Sequence, residues 1–263
     1  MSASRSLRCG VLLAALFVLA GCGPADSPSK GPPSGGATET TGRVVVLAAA
    51  SLTETFTGLA HRFEHEHPDT DVVLSFGGSS SLAQQVVAGA PADVFAAASP
   101  ATMSTVVEAG DATDPVVFAR NSLEIAVPPG NPGKVTRLAD LADSARTVAL
   151  CAPQVPCGAA ATKLFAVVGV QPAPDTLEQD VKAVLTKVEL GEVDAGLVYR
   201  TDVTAGGDAV EGVAVPEAAR AVNDYPVAVL KGAPNARAAR RFVELLRSSE
   251  GREVLSQAGF EVP

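Results

Sequence analysis

The chain has no tryptophan and only two tyrosines in 263 residues. A sugar site built on an indole platform is thereby excluded. The tyrosines, Tyr199 and Tyr225, stand far apart in sequence, so the adjacent pair that iron(III) carriers use is missing. The chain has three histidines, all in the stretch His61 to His67. None accompanies a serine in a Gly-x-Ser-x-Gly elbow, which argues against serine catalysis. No lysine follows Gly77-Gly78-Ser79-Ser80, which argues against a Walker-type phosphate loop. Basic residues are also scarce: 20 Lys and Arg against 29 Asp and Glu give a net charge of −9. Nucleic acid and anionic lipid are poor partners for such a surface.

What is present begins with a targeting segment. Arg5 and Arg8 precede the apolar run Val11 to Ala20, which is too short to span a bilayer. The run ends in Leu19-Ala20-Gly21-Cys22, which resembles the lipobox of bacterial lipoproteins. That resemblance implies a signal peptide over 1–21, cleavage before Cys22, lipid on its sulfur, and an exported protein held at the outer face of the cell membrane. Residues 22–42 are rich in Pro, Gly, Ser and Thr and read as a flexible tether. Loss of 1–21 removes two arginines and no acid, taking the net charge from −9 to −11.

Four cysteines occur in the chain. With Cys9 lost and Cys22 lipidated, Cys151 and Cys157 remain. In an exported protein a close pair reads as a disulfide, with metal binding by two thiolates as the alternative.

The folded part is organised around Arg43 to Phe56. Val44 to Leu47 read as a buried strand, three alanines make a crowded turn, and Ser51 opens a helix with Leu52, Phe56, Leu59 and Phe63 on one face. A strand running into a helix start leaves free backbone N–H groups at the sheet's carboxyl edge, a ready-made anion site. Ser51 is placed either to cap that helix or to donate to an anion. The device recurs where the strand Asp71 to Phe76 enters Gly77-Gly78-Ser79-Ser80-Ser81. There two glycines permit close backbone approach and the serines supply donors and a cap.

Further strands are predicted at 94–97, 116–119, 121–128, 147–150, 195–199, 213–215 and 224–230. Helices are predicted near 100–109, 138–143, 158–168, 180–190, 235–247 and 250–258. The alternation implies an α/β fold with mostly parallel sheets. His61 and His65, at i and i+4, could share a metal, but nothing completes the ligand set; they read as a solvated helix end. Tyr199 ends a buried strand, where its phenol is either a core group bonded to backbone or a site donor.

Taken together, these residues resemble the extracytoplasmic molybdate-binding proteins of ABC importers. The carrying motifs are Ala48-Ala-Ala-Ser51-Leu, Ser75-Phe-Gly-Gly-Ser-Ser-Ser-Leu82, Gly89-Ala-Pro-Ala-Asp-Val-Phe95, Asn121-Ser-Leu123, Val155-Pro-Cys-Gly158, Asp194-Ala-Gly-Leu-Val-Tyr199 and Tyr225-Pro-Val-Ala-Val229. They span nearly all of 43–263. The resemblance implies a two-lobed, periplasmic-binding-protein type II-like α/β architecture with the ligand cleft between the lobes. Lobe 1 would hold 43–121 and 225–263, and lobe 2 would hold 122–224. Asn121 to Glu124 and Asn223 to Pro226 would form the hinge.

It also implies five residues facing the oxyanion. Ser51 and Ser79 would give hydroxyl and backbone donors. Cys157 and Val181 would give backbone N–H groups, and Tyr199 its phenol. Cys157 stands where the family often has a small residue such as alanine. A disulfide to Cys151 would pre-shape that donor loop. Neither a lysine nor an arginine is expected at the site, and no cation site or cofactor.

The chemistry suits molybdate and tungstate, which are fully deprotonated at neutral pH and only accept hydrogen bonds. Hydrogen phosphate carries a proton that a wall of donors leaves unpaired. Sulfate differs only in size. The function implied is capture of molybdate or tungstate by a monomer and delivery to a membrane permease. Sulfate or another small anion is the alternative ligand, and an α/β enzyme is the alternative of a different class.

Overall fold

The computed structural model describes residues 40–263. The signal segment 1–21, Cys22 and the tether up to residue 39 lie outside the described residues. The first half of the fold runs through β1 (Gly42–Ala49), a 3-10 turn at Ala50–Leu52, α1 (Thr53–Glu66), β2 (Thr70–Gly77), α2 (Ser79–Val87), β3 (Val94–Ala96), α3 (Pro100–Glu108) and β4 (Val116–Asn121). Ser122 then leads into β5 (Leu123–Val127), β6 (Val148–Cys151), α4 (Pro156–Val168), β7 (Thr176–Glu178), α5 (Val181–Glu189), β8 (Ala195–Tyr199), α6 (Arg200–Gly206) and β9 (Glu211–Val213). The chain returns along β10 (Asn223–Val229) and closes with α7 (Ala236–Arg247) and α8 (Ser249–Gln257).

The strands form two five-stranded sheets, ordered β2-β1-β3-β10-β4 and β7-β6-β8-β5-β9. This is the two-lobed α/β plan. As the expectation of mostly parallel sheets has it, four of the five strands of each sheet run one way, and one strand runs against them. β1 is parallel to β2 and β3, and β6 to β7 and β8. β10 is antiparallel to β3 and β4, and β5 to β8 and β9. Strands that follow one another in the chain run parallel only when a crossover, here helical, returns the chain to the same end of the sheet. β10 in the first sheet and β5 in the second, which carry the chain between the sheets, enter from the other end, whereas β4 runs with β1–β3.

Side-chain burial accounts for the layers. α1 and α7 cover one face of the first sheet, with Phe56, Phe63 and Phe242 fully buried and their rings 5.6 to 5.9 Å apart. α2 and α3 cover the other face, where Leu47, Leu82, Phe95, Met103 and Val106 meet. The second sheet packs under α4 and α5 through Leu164, Phe165, Val184, Leu185 and Val188. Each fully buried side chain of this size stabilises by roughly 1.5–3 kcal/mol. Asp93, 1% exposed, pins three elements together. Its carboxylate accepts from the Val45 N–H at 2.8 Å and from the Asn235 N–H at 2.6 Å, fixing β1, β3 and the start of α7.

Several boundaries differ from the sequence reading. β1 begins at Gly42, within the stretch read as tether, because Gly42 pairs with Thr70 and the buried Thr40 accepts from the Thr70 hydroxyl. The strand read as 121–128 is broken at Ser122, with Asn121 ending β4 and Leu123 opening β5. The helix read at 138–143 is a 3-10 turn, Leu138–Ala142, and the strand read at 213–215 lies at Glu211–Val213. β7 and α6 escaped the sequence reading.

Candidate anion-binding site

Four helical starts point at one small cavity between the sheets. β1 delivers Ala49, Ala50 and Ser51; β2 delivers Gly77, Gly78 and Ser79; the loop after β6 delivers Val155, Pro156 and Cys157; and β7 leads to Asp180 and Val181. Ala98 and Tyr199 complete the lining. Ligand sites at the carboxyl ends of sheet strands are a general property of open α/β folds. The cavity volume is about 20 Å³. A single water needs roughly 10–15 Å³, so the space takes one small ion and no organic substituent.

All five residues named from the sequence line this cavity, and each is at most 4% exposed. Cys22 lies outside the described residues. Ser79, Cys157 and Val181 sit in the first turns of α2, α4 and α5, where backbone N–H groups have no acceptor within their own helix. Pro at the first position of α4 suits a helix start, since its missing N–H would be unpaired anyway. Cys157 is joined to Cys151 by a disulfide that ties the first turn of α4 to the end of β6.

The three hydroxyls differ in their surroundings. Ser51 Oγ lies 2.9 Å from Tyr225 Oη, so it caps no helix, contrary to one of its two sequence readings. Ser79 Oγ accepts from the Ala98 N–H at 3.0 Å. Tyr199 Oη accepts from Asn223 Nδ2 at 2.7 Å rather than bonding to backbone. Burial, reinforced by the nearby Asp202 charge, pushes the Tyr199 phenol above its ordinary pKa, and burial does the same for Tyr225. Both keep their protons across the physiological range.

No lysine or arginine lines the cavity. Asp180 is the one carboxylate there, and its Oδ1 accepts from the Ala183 N–H at 3.0 Å, capping α5. A dianion in this space would meet helix starts and neutral donors. None of the three histidines reaches it, and among the described residues no cluster of His, Cys, Asp and Glu could hold a metal ion.

The halves meet closely around the cavity. Ser80 Oγ donates to the Gln154 carbonyl at 2.8 Å, and Lys182 Nζ donates to Glu54 Oε1 at 2.9 Å. A Cβ on Gly78 would stand 2.2 Å from the Gln179 carbonyl oxygen, so only glycine permits this approach. A Cβ on Gly158 would likewise stand 1.9 Å from the Ala152 oxygen.

The sequence reading missed Asn223 as anything beyond a hinge residue, and it missed Ala98 and Asp180. Ala98 had a signal: it precedes Ser99-Pro100, another strand-to-helix start. Asn223 had only its place beside a buried strand.

Comparison with known proteins places this architecture. Residues 44–261 match the family model described as bacterial extracellular solute-binding protein. The molybdate-binding protein ModA of Mycobacterium tuberculosis (strain ATCC 25618 / H37Rv) is 40% identical over 261 residues, covering 99% of this chain and 98% of its own. The periplasmic molybdate-binding protein of Azotobacter vinelandii superposes with a TM-score of 0.68 at 21% identity, over 84% of this chain and 99% of its own. The sulfate-binding protein SubI of Mycobacterium tuberculosis H37Rv does so with 0.72 at 18% identity, over 84% and 86%, so fold alone does not separate these anions. The chain belongs to the bacterial extracellular solute-binding proteins and is a relative of the ModA proteins.

Proposed function

We propose that the protein captures molybdate, and with it tungstate, outside the membrane and hands it to an ABC-type importer. The observation that carries this reading is the cavity itself. Helical starts and three hydroxyls converge on about 20 Å³ with no cation in the wall. A fully deprotonated tetrahedral oxyanion matches that donor set. The 40% identity to ModA over the whole chain supports the same choice.

In this reading Ser51, Ser79, Cys157, Val181 and Tyr199 hold the anion. Lobe 1 comprises 43–121 and 225–263, lobe 2 comprises 122–224, and Asn121 to Glu124 with Asn223 to Pro226 form the hinge. Cys22 carries the lipid that keeps a monomer near its permease. In this reading the protein works by binding, with no cofactor and no catalytic step.

Isothermal titration of the chain from residue 23 onward with molybdate, tungstate, sulfate and phosphate tests the reading. Tight binding of the first two, with no heat from the others, is the expected result. Equal binding of sulfate would remove the specificity, and silence from all four would remove the site.

A further inference from the structure

We propose that Asn223 is a positioning residue that makes Tyr199 a pure hydrogen-bond donor, and does so only when the two halves are together. This rests on the oxyanion reading above. The Asn223 amide nitrogen lies 2.9 Å from the Ala98 carbonyl, 2.7 Å from Tyr199 Oη and 3.4 Å from the Pro156 carbonyl. Carbonyls only accept, so two of them fix which end of the amide faces inward. Its two hydrogens then go to the nearest acceptors, Ala98 and Tyr199. The phenol oxygen is thereby engaged as an acceptor, also toward the hydrogen-bonded Tyr225 hydroxyl, and its own proton is left for the cavity that Tyr199 lines.

The same peptide extends the arrangement to a second wall. Ala98 accepts from Asn223 through its carbonyl and donates to Ser79 Oγ through its N–H. Ser79 is left with its hydroxyl proton to offer. Chained hydrogen bonds of this kind polarise one another. A bound species carrying a proton would find the Tyr199 oxygen already taken and only one lone pair of Ser79 Oγ open, which works against hydrogen phosphate.

The geometry also links donor direction to closure. Ala98 follows β3 of the first sheet, whereas Pro156 and Tyr199 belong to the half built on the second. Separating the halves breaks one side of the Asn223 contacts and releases the phenol to rotate. Selection against a protonated ligand would then operate in the closed form.

A double-mutant cycle tests this, with titration of molybdate and hydrogen phosphate into wild type, Asn223→Ala, Tyr199→Phe and the double variant near pH 8. Asn223→Ala is expected to weaken molybdate about 10- to 100-fold, the range for a hydrogen bond to a charged group. It should weaken hydrogen phosphate far less, so the selectivity ratio falls. In the Tyr199→Phe background the same change should add little, because the hydroxyl it orients is gone. Additive losses with an unmoved ratio would overturn the proposal. Should Asn223→Ala not fold, as read by its melting curve, Asn223→Asp serves: its carboxylate accepts from the phenol, and an unchanged selectivity ratio there would equally overturn it. Failure of wild type to bind molybdate would instead sink the oxyanion reading, and this inference with it.

Discussion

Lys182 holds Glu54 across the two halves: its ammonium lies 2.9 Å from the Glu54 carboxylate on α1 while its own helix, α5, supplies Val181 to the site. The same ammonium stands 3.3 Å from Asp202 Oδ1 as an ion pair without hydrogen-bond geometry. One cation thus serves a partly exposed carboxylate on the first half and a fully buried one on the second.

Lys182→Met should therefore favour the open arrangement. A pair this exposed on the Glu54 side contributes about 0.2–1 kcal/mol. Molybdate affinity is expected to fall by a factor of about 1.4 to 5 through faster dissociation, read by stopped-flow displacement. Glu54→Gln should do the same to a smaller degree.

Asp202 gives a pH prediction. Burial, outweighing the Lys182 charge, pushes its carboxyl up to about 6 from the ordinary aspartate value of 3.8. The folded protein therefore holds this proton more tightly than the unfolded chain. The resulting stability is fully present below 3.8 and is lost as pH rises through about 6. Asp202→Asn keeps an acceptor for the Tyr199 N–H and should be more stable than wild type near pH 8, by up to ~3 kcal/mol. The two melting temperatures should converge near pH 4. A constant gap across the range would contradict the assignment.

Gly78→Ala places a methyl against the Gln179 carbonyl, which belongs to the opposite half. The backbone at Gly78 is ordinary, with φ −60°, so the isolated half accepts alanine without strain. Affinity should fall at least 100-fold while the melting temperature without ligand stays within about 1 °C, a separation of closure from folding. A matching loss of stability would point instead to a local packing defect.

Reduction of Cys151–Cys157 should lower stability by roughly 2 kcal/mol, the loop-closure value for so short a ring. Molybdate affinity should fall as well, because the first turn of α4 loses its covalent tie to β6. Thermal melts and titrations with and without dithiothreitol check both.

The sequence made some of this plain and hid the rest for physical reasons. β1, β2 and β8 are dense apolar runs, and their junctions with helices led to Ser51, Ser79 and Tyr199. Cys157 and Val181 act through backbone N–H groups, which carry no side-chain signature; only the family resemblance pointed to them. Asn223 was opaque because its three acceptors, Ala98, Pro156 and Tyr199, are brought together by tertiary folding alone. The antiparallel partners of β10 and β5 were equally hidden, since local periodicity does not report strand direction. α6 is short, and its buried Asp202 looks like a surface residue in sequence.

The crossing between the halves has a consequence of its own. β4 and β10 run side by side with Asn121 opposite Asn223, so the two covalent straps joining the halves are themselves laced together. Asn121 Nδ2 reaches Thr201, and Arg200 reaches the Gly259 carbonyl, adding stays on the same side. Paired straps of this kind resist sliding and stretching while leaving one rotation free. In the hinged reading proposed above, closure then follows a single coordinate, which the distance between exposed positions on the two halves, Val87 and Leu190, would report without touching the Glu54–Lys182 pair. Labels at those two positions should resolve two narrow distance populations whose ratio follows ligand concentration.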